Sequence, residues 1–212
     1  MLWDLNIRLF HILLILIICI SIISAKMGFF YIHEVSGVTL LCIVTFRIYW
    51  GFFGSYFAKF KNFNLNYESI KKFLKTKDFK YFGHNPLGSI SIISLLILTI
   101  VISVSGLFSS DDIIYDGPLV FLAPGFSSIF TKIHNLSHYI LYFQIFIHLC
   151  AVFFYQFYKK KLIIQQMIDG KSRDQNFKNI DFSPRKMKLG FFILILCSFS
   201  PLILYLLTYV RS

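Results

Sequence analysis

Four histidines in otherwise apolar stretches are the residues of this sequence best suited to bind a metal or a cofactor. His11 and His33 come early in the chain, and His134 and His148 follow later, 14 residues apart. In one α-helix that spacing is about four turns, so the two imidazoles share a face within about 40° and lie about 21 Å apart. An ionisable residue inside an apolar segment is costly and usually functional. These histidines are therefore candidate ligands at two levels of one structure.

The elements that must carry the histidines are membrane-spanning helices. The 212 residues are 57% apolar and only 15% charged, with a mean hydropathy of +0.69, which is more apolar than a soluble domain needs. Five stretches with few or no charges approach or exceed the length that crosses a bilayer core as a helix. The predicted fold class is an all-α integral membrane protein. Its predicted helices cover residues 9–25, 35–58, 86–108, 133–158 and 189–210.

The first four helices are predicted to form one bundle within residues 1–173, followed by a basic linker at 174–188 and an additional C-terminal helix. A signal peptide is the alternative for the first stretch. Ile23-Ser24-Ala25, just before Lys26, is a poor small-x-small cleavage site. We therefore favour a helix that is retained.

The positions of Lys and Arg indicate the orientation of these helices. Of the 21 basic residues, 17 fall before the first helix, between the second and third, or between the fourth and fifth. The positive-inside rule places these segments in the cytoplasm, with the N-terminus inside and the C-terminus in the periplasm. The loop with Asp111, Asp112 and Asp116 is then acidic and external. The net charge of +11 is thus a topology signal for a bacterial inner-membrane protein, and no nucleic acid is needed to explain it.

Matching depths along the helices divides the four histidines into two pairs. His33 and His134 lie near the outer side, whereas His11 and His148 lie about 10–12 Å from the inner aromatic residues Trp3 and Tyr155. Two bis-imidazole sites stacked across a membrane have the geometry of two b-type haems. Both axial positions of each iron would be filled, so such haems would carry electrons and not bind substrate.

Other interpretations of these histidines remain open. His138 lies one turn deeper than His134 and about 40° away, so it competes with His134 as the outer ligand. Histidine also binds zinc or non-haem iron, although Glu34 is the only carboxylate beside these residues. A membrane histidine can also serve only as an interhelical hydrogen-bonding group.

Two arginines and a glycine are further candidates for cofactor binding. Arg47 lies 14 residues after His33, on the same helix face and about 21 Å further inward. A buried arginine needs an anionic partner, and a haem propionate is one, whereas snorkelling to the interface is the alternative. Arg8, three residues before His11, is a second propionate candidate. Gly37, four residues after His33, leaves room for a macrocycle or for close helix contact.

Several motifs together resemble bacterial b-type cytochromes of the cytochrome b561 group, in particular the cytochrome b subunit of nickel–iron hydrogenases. The resemblance covers about residues 1–173. It rests on Trp3-Asp4 with Arg8-Leu9-Phe10-His11, His33 with Gly37, Phe46-Arg47-x2-Trp50-Gly51, Gly83-His84-Asn85-Pro86-Leu87-Gly88, and Met167-Ile168-x-Gly170-Lys171. It implies a four-helix transmembrane bundle with two non-covalent haems b, whose ligands fall on His11, His33, His134 and His148.

The resemblance also implies electron transfer between a redox partner, hydrogenase-like or a c-type cytochrome, and the quinone pool of a respiratory chain. One alternative is a superoxide:quinone oxidoreductase of the same wider group. A basic outer surface would favour that enzyme by attracting an anion, but the outer loop here is acidic. Another alternative is a cofactor-free transport or assembly protein, against which the lack of paired discontinuous helices argues.

His84 lies in the loop before the third predicted helix. One interpretation is a turn residue beside Asn85 and Pro86, which suit a helix N-terminus. The other is a contact with a quinone or a propionate near the inner haem.

Overall fold

The computed structural model describes residues 3–76, 85–111, 113, 115–171 and 187–211. Seven α-helices are present in these parts of the chain. They are α1 (Leu5–Lys26), α2 (Phe30–Phe53), α3 (Tyr67–Thr76), α4 (Pro86–Leu107), α5 (Ser127–Phe153), α6 (Ile163–Asp169) and α7 (Met187–Arg211). Helices α1, α2, α4 and α5 are long and apolar enough to cross a membrane, and α7 adds a shorter apolar segment, Met187–Ile203. The predicted fold class, a transmembrane four-helix bundle with an additional C-terminal helix, is confirmed.

The helix boundaries differ from those set by the charges alone. The predicted second helix began after Glu34 and ended before Lys59, but α2 runs from Phe30 to Phe53. Glu34 lies within the first turns of α2, where it accepts a hydrogen bond from the Tyr205 hydroxyl. The helix ends at Gly54, where a Cβ would overlap the Trp50 carbonyl. Similarly, α1 begins at Leu5 and α5 at Ser127, both earlier than expected. Most of the predicted linker 174–188 lies outside the described residues.

Helix α2 occupies the centre of the bundle. It packs against α1, α4 and α7, and α5 packs on α4. The buried core combines Val44, Phe46 and Trp50 of α2 with Phe10 of α1 and Leu194 of α7. We call the end of the bundle with Asp4, Trp50, Pro86 and Met187 the inner end, and the end with Lys26, Phe30 and Leu107 the outer end. Apolar side chains cover the outside of α1 and α5, as expected for helices that face lipid.

A short connection at the outer end joins α1 and α2. Met27, Gly28 and Phe29 reverse the chain, and Gly28 adopts a positive φ of 75°, which glycine tolerates without a side-chain clash. The Phe29 amide donates to the Ser24 carbonyl at 2.9 Å, and the Met27 amide to that of Ile23 at 3.0 Å. These bonds satisfy carbonyl groups at the end of α1. This tight hairpin brings the last turns of α1 beside His33.

A buried aspartate joins α1 and α2 at the inner end. Asp4 caps α1 by accepting the Ile7 amide, and the Trp50 indole Nε1 donates to the two Asp4 carboxylate oxygens at 3.1 and 3.2 Å. The Ser55 hydroxyl donates to the same carboxylate. Asp4 is 1% exposed, so this network is secluded from solvent. The Trp3-Asp4 and Arg47-x2-Trp50 motifs, far apart in sequence, thus meet in one hydrogen-bonded cluster.

We expect Asp4→Ala to lower the free energy of unfolding by about 3 kcal/mol or more. The substitution removes a helix cap, worth about 1 kcal/mol, and leaves two buried donors without their acceptor, each costing about 1–3 kcal/mol. Thermal unfolding in detergent measures the effect, with Asp4→Asn as the control because its carbonyl still accepts. Equal melting temperatures for Asp4→Ala and the unmodified protein would contradict this role.

The N-terminus of α4 is capped as the sequence predicts. The Asn85 side-chain oxygen accepts the Gly88 amide at 2.6 Å, and Pro86 occupies the first turn. The Asn85 amide nitrogen donates to the Tyr155 hydroxyl at 2.8 Å and so ties α4 to the end of α5. His84, the other residue singled out in this loop, lies outside the described residues.

Candidate functional site

His33 and His134 face each other at the outer end of the bundle. Their ring centroids are 6.1 Å apart, with an angle of 77° between the ring planes. His33 lies in the first turn of α2 and His134 in the second turn of α5. The structure therefore brings together the two residues that the sequence pairs at this depth.

Backbone carbonyls set the protonation of both rings. His33 Nδ1 lies 2.9 Å from the Ser21 carbonyl, and His134 Nδ1 lies 2.9 Å from the Ile102 carbonyl. A carbonyl oxygen can only accept, so each Nδ1 carries the proton and each Nε2 keeps a free lone pair. This is the arrangement in which protein histidines bind metals, with the second nitrogen oriented by a hydrogen bond.

The His33 and His134 rings also contact residues that the sequence analysis did not identify. The Ser21 hydroxyl lies 3.1 Å from His33 Nδ1, which adds a second contact from α1. On α4, a Cβ at Gly106 would lie 3.0 Å from Cε1 and 3.1 Å from Nδ1 of His134, so only glycine leaves full room for the ring. The sequence signal for this contact with His134 is Gly106 itself, a glycine near the end of an apolar helix.

The sequence predicts His11 and His148 as the second pair, deeper toward the inner end. His11 lies on α1 and His148 on α5, and they are close enough to interact electrostatically. Both are half-buried within their helices. Helix α5 thus contributes one histidine to each pair, separated by about 21 Å along its axis.

His138, the competing outer ligand, lies against aromatic rings of its own helix. Its ring centroid is 3.9 Å from that of Tyr139 and 5.5 Å from that of Tyr142. The ring that faces His33 is that of His134. This geometry favours His134 as the partner of His33.

Arg47 is a buried cation with a nitrogen that has no hydrogen-bond partner. It is 4% exposed, and Nη1 finds no acceptor among the described residues. The guanidinium lies over the Phe60 ring at 4.9 Å, and the Phe60 ring fills the space beside Gly51. Arg47 is therefore a buried cation with one donor available to an acceptor.

Arg8 has a structural contact that the sequence does not reveal. Its Nη1 donates to the Ile168 carbonyl near the end of α6, and the Trp3 amide donates to the Gly170 carbonyl at 3.3 Å. These bonds hold the start of α1 against the segment that follows α5. Arg8 Nε is buried without a partner among the described residues.

The bundle leaves room between α5 and the helices whose histidines it faces. Within the described residues, α5 packs closely on α4 but not on α1 or α2. A Cβ built on Gly37, one turn from His33, meets no atom within 4 Å. The histidine pairs are therefore held across a separation between helices and not within a tightly packed interface.

A carboxylate and several tyrosines lie beside His33 at the outer end. Glu34 accepts a hydrogen bond from Tyr205 of α7, whose ring meets that of Tyr31 edge to face at 5.7 Å. Burial, and then the negative charge of Glu34, raises the pKa of the Tyr115 hydroxyl in the α4–α5 loop. Glu34 thus interacts with two other parts of the chain, α7 and the α4–α5 loop.

The fold is that of a multi-pass helical-bundle membrane protein in which two histidines, His33 and His134, face each other between helices. A family model described as prokaryotic cytochrome b561 matches residues 2–170, and the chain belongs to this family. It is therefore a membrane b-type cytochrome of electron transfer, in the bacterial inner membrane. Comparison with curated proteins and with solved structures gives no significant match.

The residues present fit the b-type haem that the family implies. Two imidazoles on opposite sides of one metal ion have centroids about 6.4 Å apart, from a bond of about 2 Å and ~1.2 Å from nitrogen to ring centre. The 6.1 Å between His33 and His134 agrees with this value. The unpartnered Arg47 Nη1 suits a propionate. No group of three or more His, Cys, Asp or Glu side chains suited to a metal ion occurs in the described part of the chain.

Proposed function

We propose that this protein is a dihaem b-type cytochrome that transfers electrons between a redox partner and the quinone pool of a respiratory chain. His33 and His134 would bind the outer haem, and His11 and His148 the inner haem. The charge distribution supports a cytoplasmic N-terminus, which places the inner haem toward the cytoplasm. The redox partner would be hydrogenase-like or a c-type cytochrome.

The observation that carries this proposal is the presence of one member of each histidine pair on α5. His134 and His148 lie on one helix, 14 residues apart; His134 faces His33 of α2, and His148 lies close enough to His11 of α1 to interact with it electrostatically. A single helix thus sets the separation of two bis-histidine sites, about 21 Å along its axis. This arrangement suits one-electron transfer across the membrane.

The residues of this chain would bind the haems, orient the histidine ligands and seclude the haems from solvent. When bound, haem b supplies a one-electron couple whose potential depends on its axial ligands and their hydrogen bonds. The Ser21 and Ile102 carbonyls fix the tautomer of the outer ligands and raise the basicity of the nitrogens that would bind the iron. With two histidines at each site, no axial position is left for substrate, which favours electron transfer over ligand chemistry.

A reduced-minus-oxidised spectrum and a pyridine haemochrome assay on the purified chain test this proposal. We expect two haems b per chain, both reduced by a quinol in detergent or in lipid vesicles. Purified, folded protein without haem would overturn the proposal. Haem that a quinol cannot reduce, and whose reduced form a quinone cannot oxidise, would overturn the quinone part alone.

Arg47→Met should weaken binding of the inner haem. If Arg47 Nη1 binds a propionate, the change removes a charge-assisted hydrogen bond worth about 1.5–3 kcal/mol, or roughly 10- to 150-fold in affinity. Haem stoichiometry after detergent washing measures the loss, with Arg47→Lys as the charge-retaining control. Unchanged haem content and unchanged potentials in Arg47→Met would exclude propionate binding.

A further inference from the structure

The C-terminal helix α7 follows the family match, which ends at residue 170, yet it packs along the centre of the bundle. Leu194 of α7 is only 1% exposed and belongs to the same core cluster as Phe46 and Trp50. A helix that merely crossed the membrane beside the bundle would not bury its side chains in this way. Helix α7 is therefore part of the structure that holds α2.

At the inner end, the α7 backbone lies close to the Trp50 ring. A Cβ on Gly190 would overlap the Trp50 ring, so the glycine lets α7 lie directly on the indole. The Asn6 side-chain amide donates to the Met187 carbonyl at 3.0 Å and ties α7 to α1. Trp50 is also bound to Asp4 and lies one turn after Arg47.

At the outer end, a hydrogen bond between polar side chains joins α7 to α2. The Tyr205 hydroxyl donates to Glu34, which directly follows His33. The same tyrosine ring packs against Tyr31, two residues before His33. Helix α7 therefore contacts α2 on both sides of His33 in sequence, as well as at Trp50.

We propose that α7 is a positioning element for the haem sites, and that Tyr205 acts through Glu34 on the outer haem. The inference rests on the proposed function, because it requires His33 to be a haem ligand. Glu34 contributes a negative charge beside that site, and the Tyr205 hydrogen bond partly offsets the charge. Since a nearby negative charge favours ferric haem, both residues influence the potential of the outer haem. The α2-facing side of α7 is thereby used within the chain and is not available to a partner protein.

Redox titrations of Tyr205→Phe and Glu34→Gln in the full chain test this proposal. Tyr205→Phe leaves the carboxylate without its donor, so the outer haem potential should shift to more negative values. Glu34→Gln removes the charge, so the same haem should shift to more positive values. The inner haem should stay unchanged in both variants. Tyr158→Phe is the matched control, since Tyr158 is 73% exposed at the opposite end of α5.

Opposite shifts confined to one haem would support the proposal, whereas two haems with unshifted potentials in both variants would overturn it. Gly190→Val provides a second test, since it forces α7 away from Trp50. It should lower haem retention, and full retention with unchanged potentials would overturn the positioning role. If the unmodified chain binds no haem, the proposed function fails instead, so the two failures are distinguishable.

Discussion

His11→Ala and His148→Ala should each remove the inner haem, and His33→Ala and His134→Ala should each remove the outer haem. Every one of these variants should fall from two haems per chain to one. The reason is that each iron needs both imidazoles, and the partner histidines come from different helices. Alanine would remove one of the two proposed ligands of that haem.

The measurement is the pyridine haemochrome stoichiometry together with low-temperature difference spectra. Both members of a pair should lose the same spectral component, because they share one haem. The double variant His33→Ala/His134→Ala should lose no more than either single variant. Loss of different components within a pair would show that the histidines are paired wrongly.

His138→Ala is the decisive control for the outer site. Its ring packs on Tyr139 and Tyr142, so its removal should leave two haems per chain. If His138→Ala loses the outer haem while His134→Ala keeps it, the choice between these two histidines is wrong.

Gly106→Val should lose the outer haem while leaving the inner haem bound. The first side-chain atom would already lie 3.0 Å from the His134 ring, and the two further methyl groups of valine add to that contact. Overpacking of this kind costs about 1–3 kcal/mol, which corresponds to about 5- to 150-fold in affinity. Gly106→Ala should give a smaller effect, because the ring needs to move by only a few tenths of an ångström.

Haem stoichiometry and redox titration of the remaining haem measure this effect. Gly125→Ala is the matched control, because a Cβ there meets no atom within 4 Å. Full outer haem occupancy with an unshifted potential in Gly106→Val would show that the His134 ring does not pack against Gly106 of α4.

Arg8 and Arg47 illustrate which information about the site comes from the sequence and which comes from the structure. The sequence makes Arg47, on the same helix face as His33, the first propionate candidate and Arg8, three residues before His11, the second. In the structure, Arg8 Nη1 donates to the Ile168 carbonyl, and buried donors without a partner among the described residues remain on both side chains, at Arg8 Nε and Arg47 Nη1. The carbonyl that binds Arg8 lies 160 residues away in the chain, and no local pattern contains that information.

Hydropathy, charge and helical rise are local properties, and the sequence alone determined what depends on them. They predict the apolar helices and the relative depths of His11, His33, His134 and His148. The rotation of each helix about its axis relative to its neighbours was decided only by tertiary packing. That rotation turns His134 toward His33, places the Ser21 and Ile102 carbonyls on the two rings, and lays α7 on Trp50. These contacts join residues that are distant in the chain, so their geometry follows from the packed bundle and not from sequence spacing.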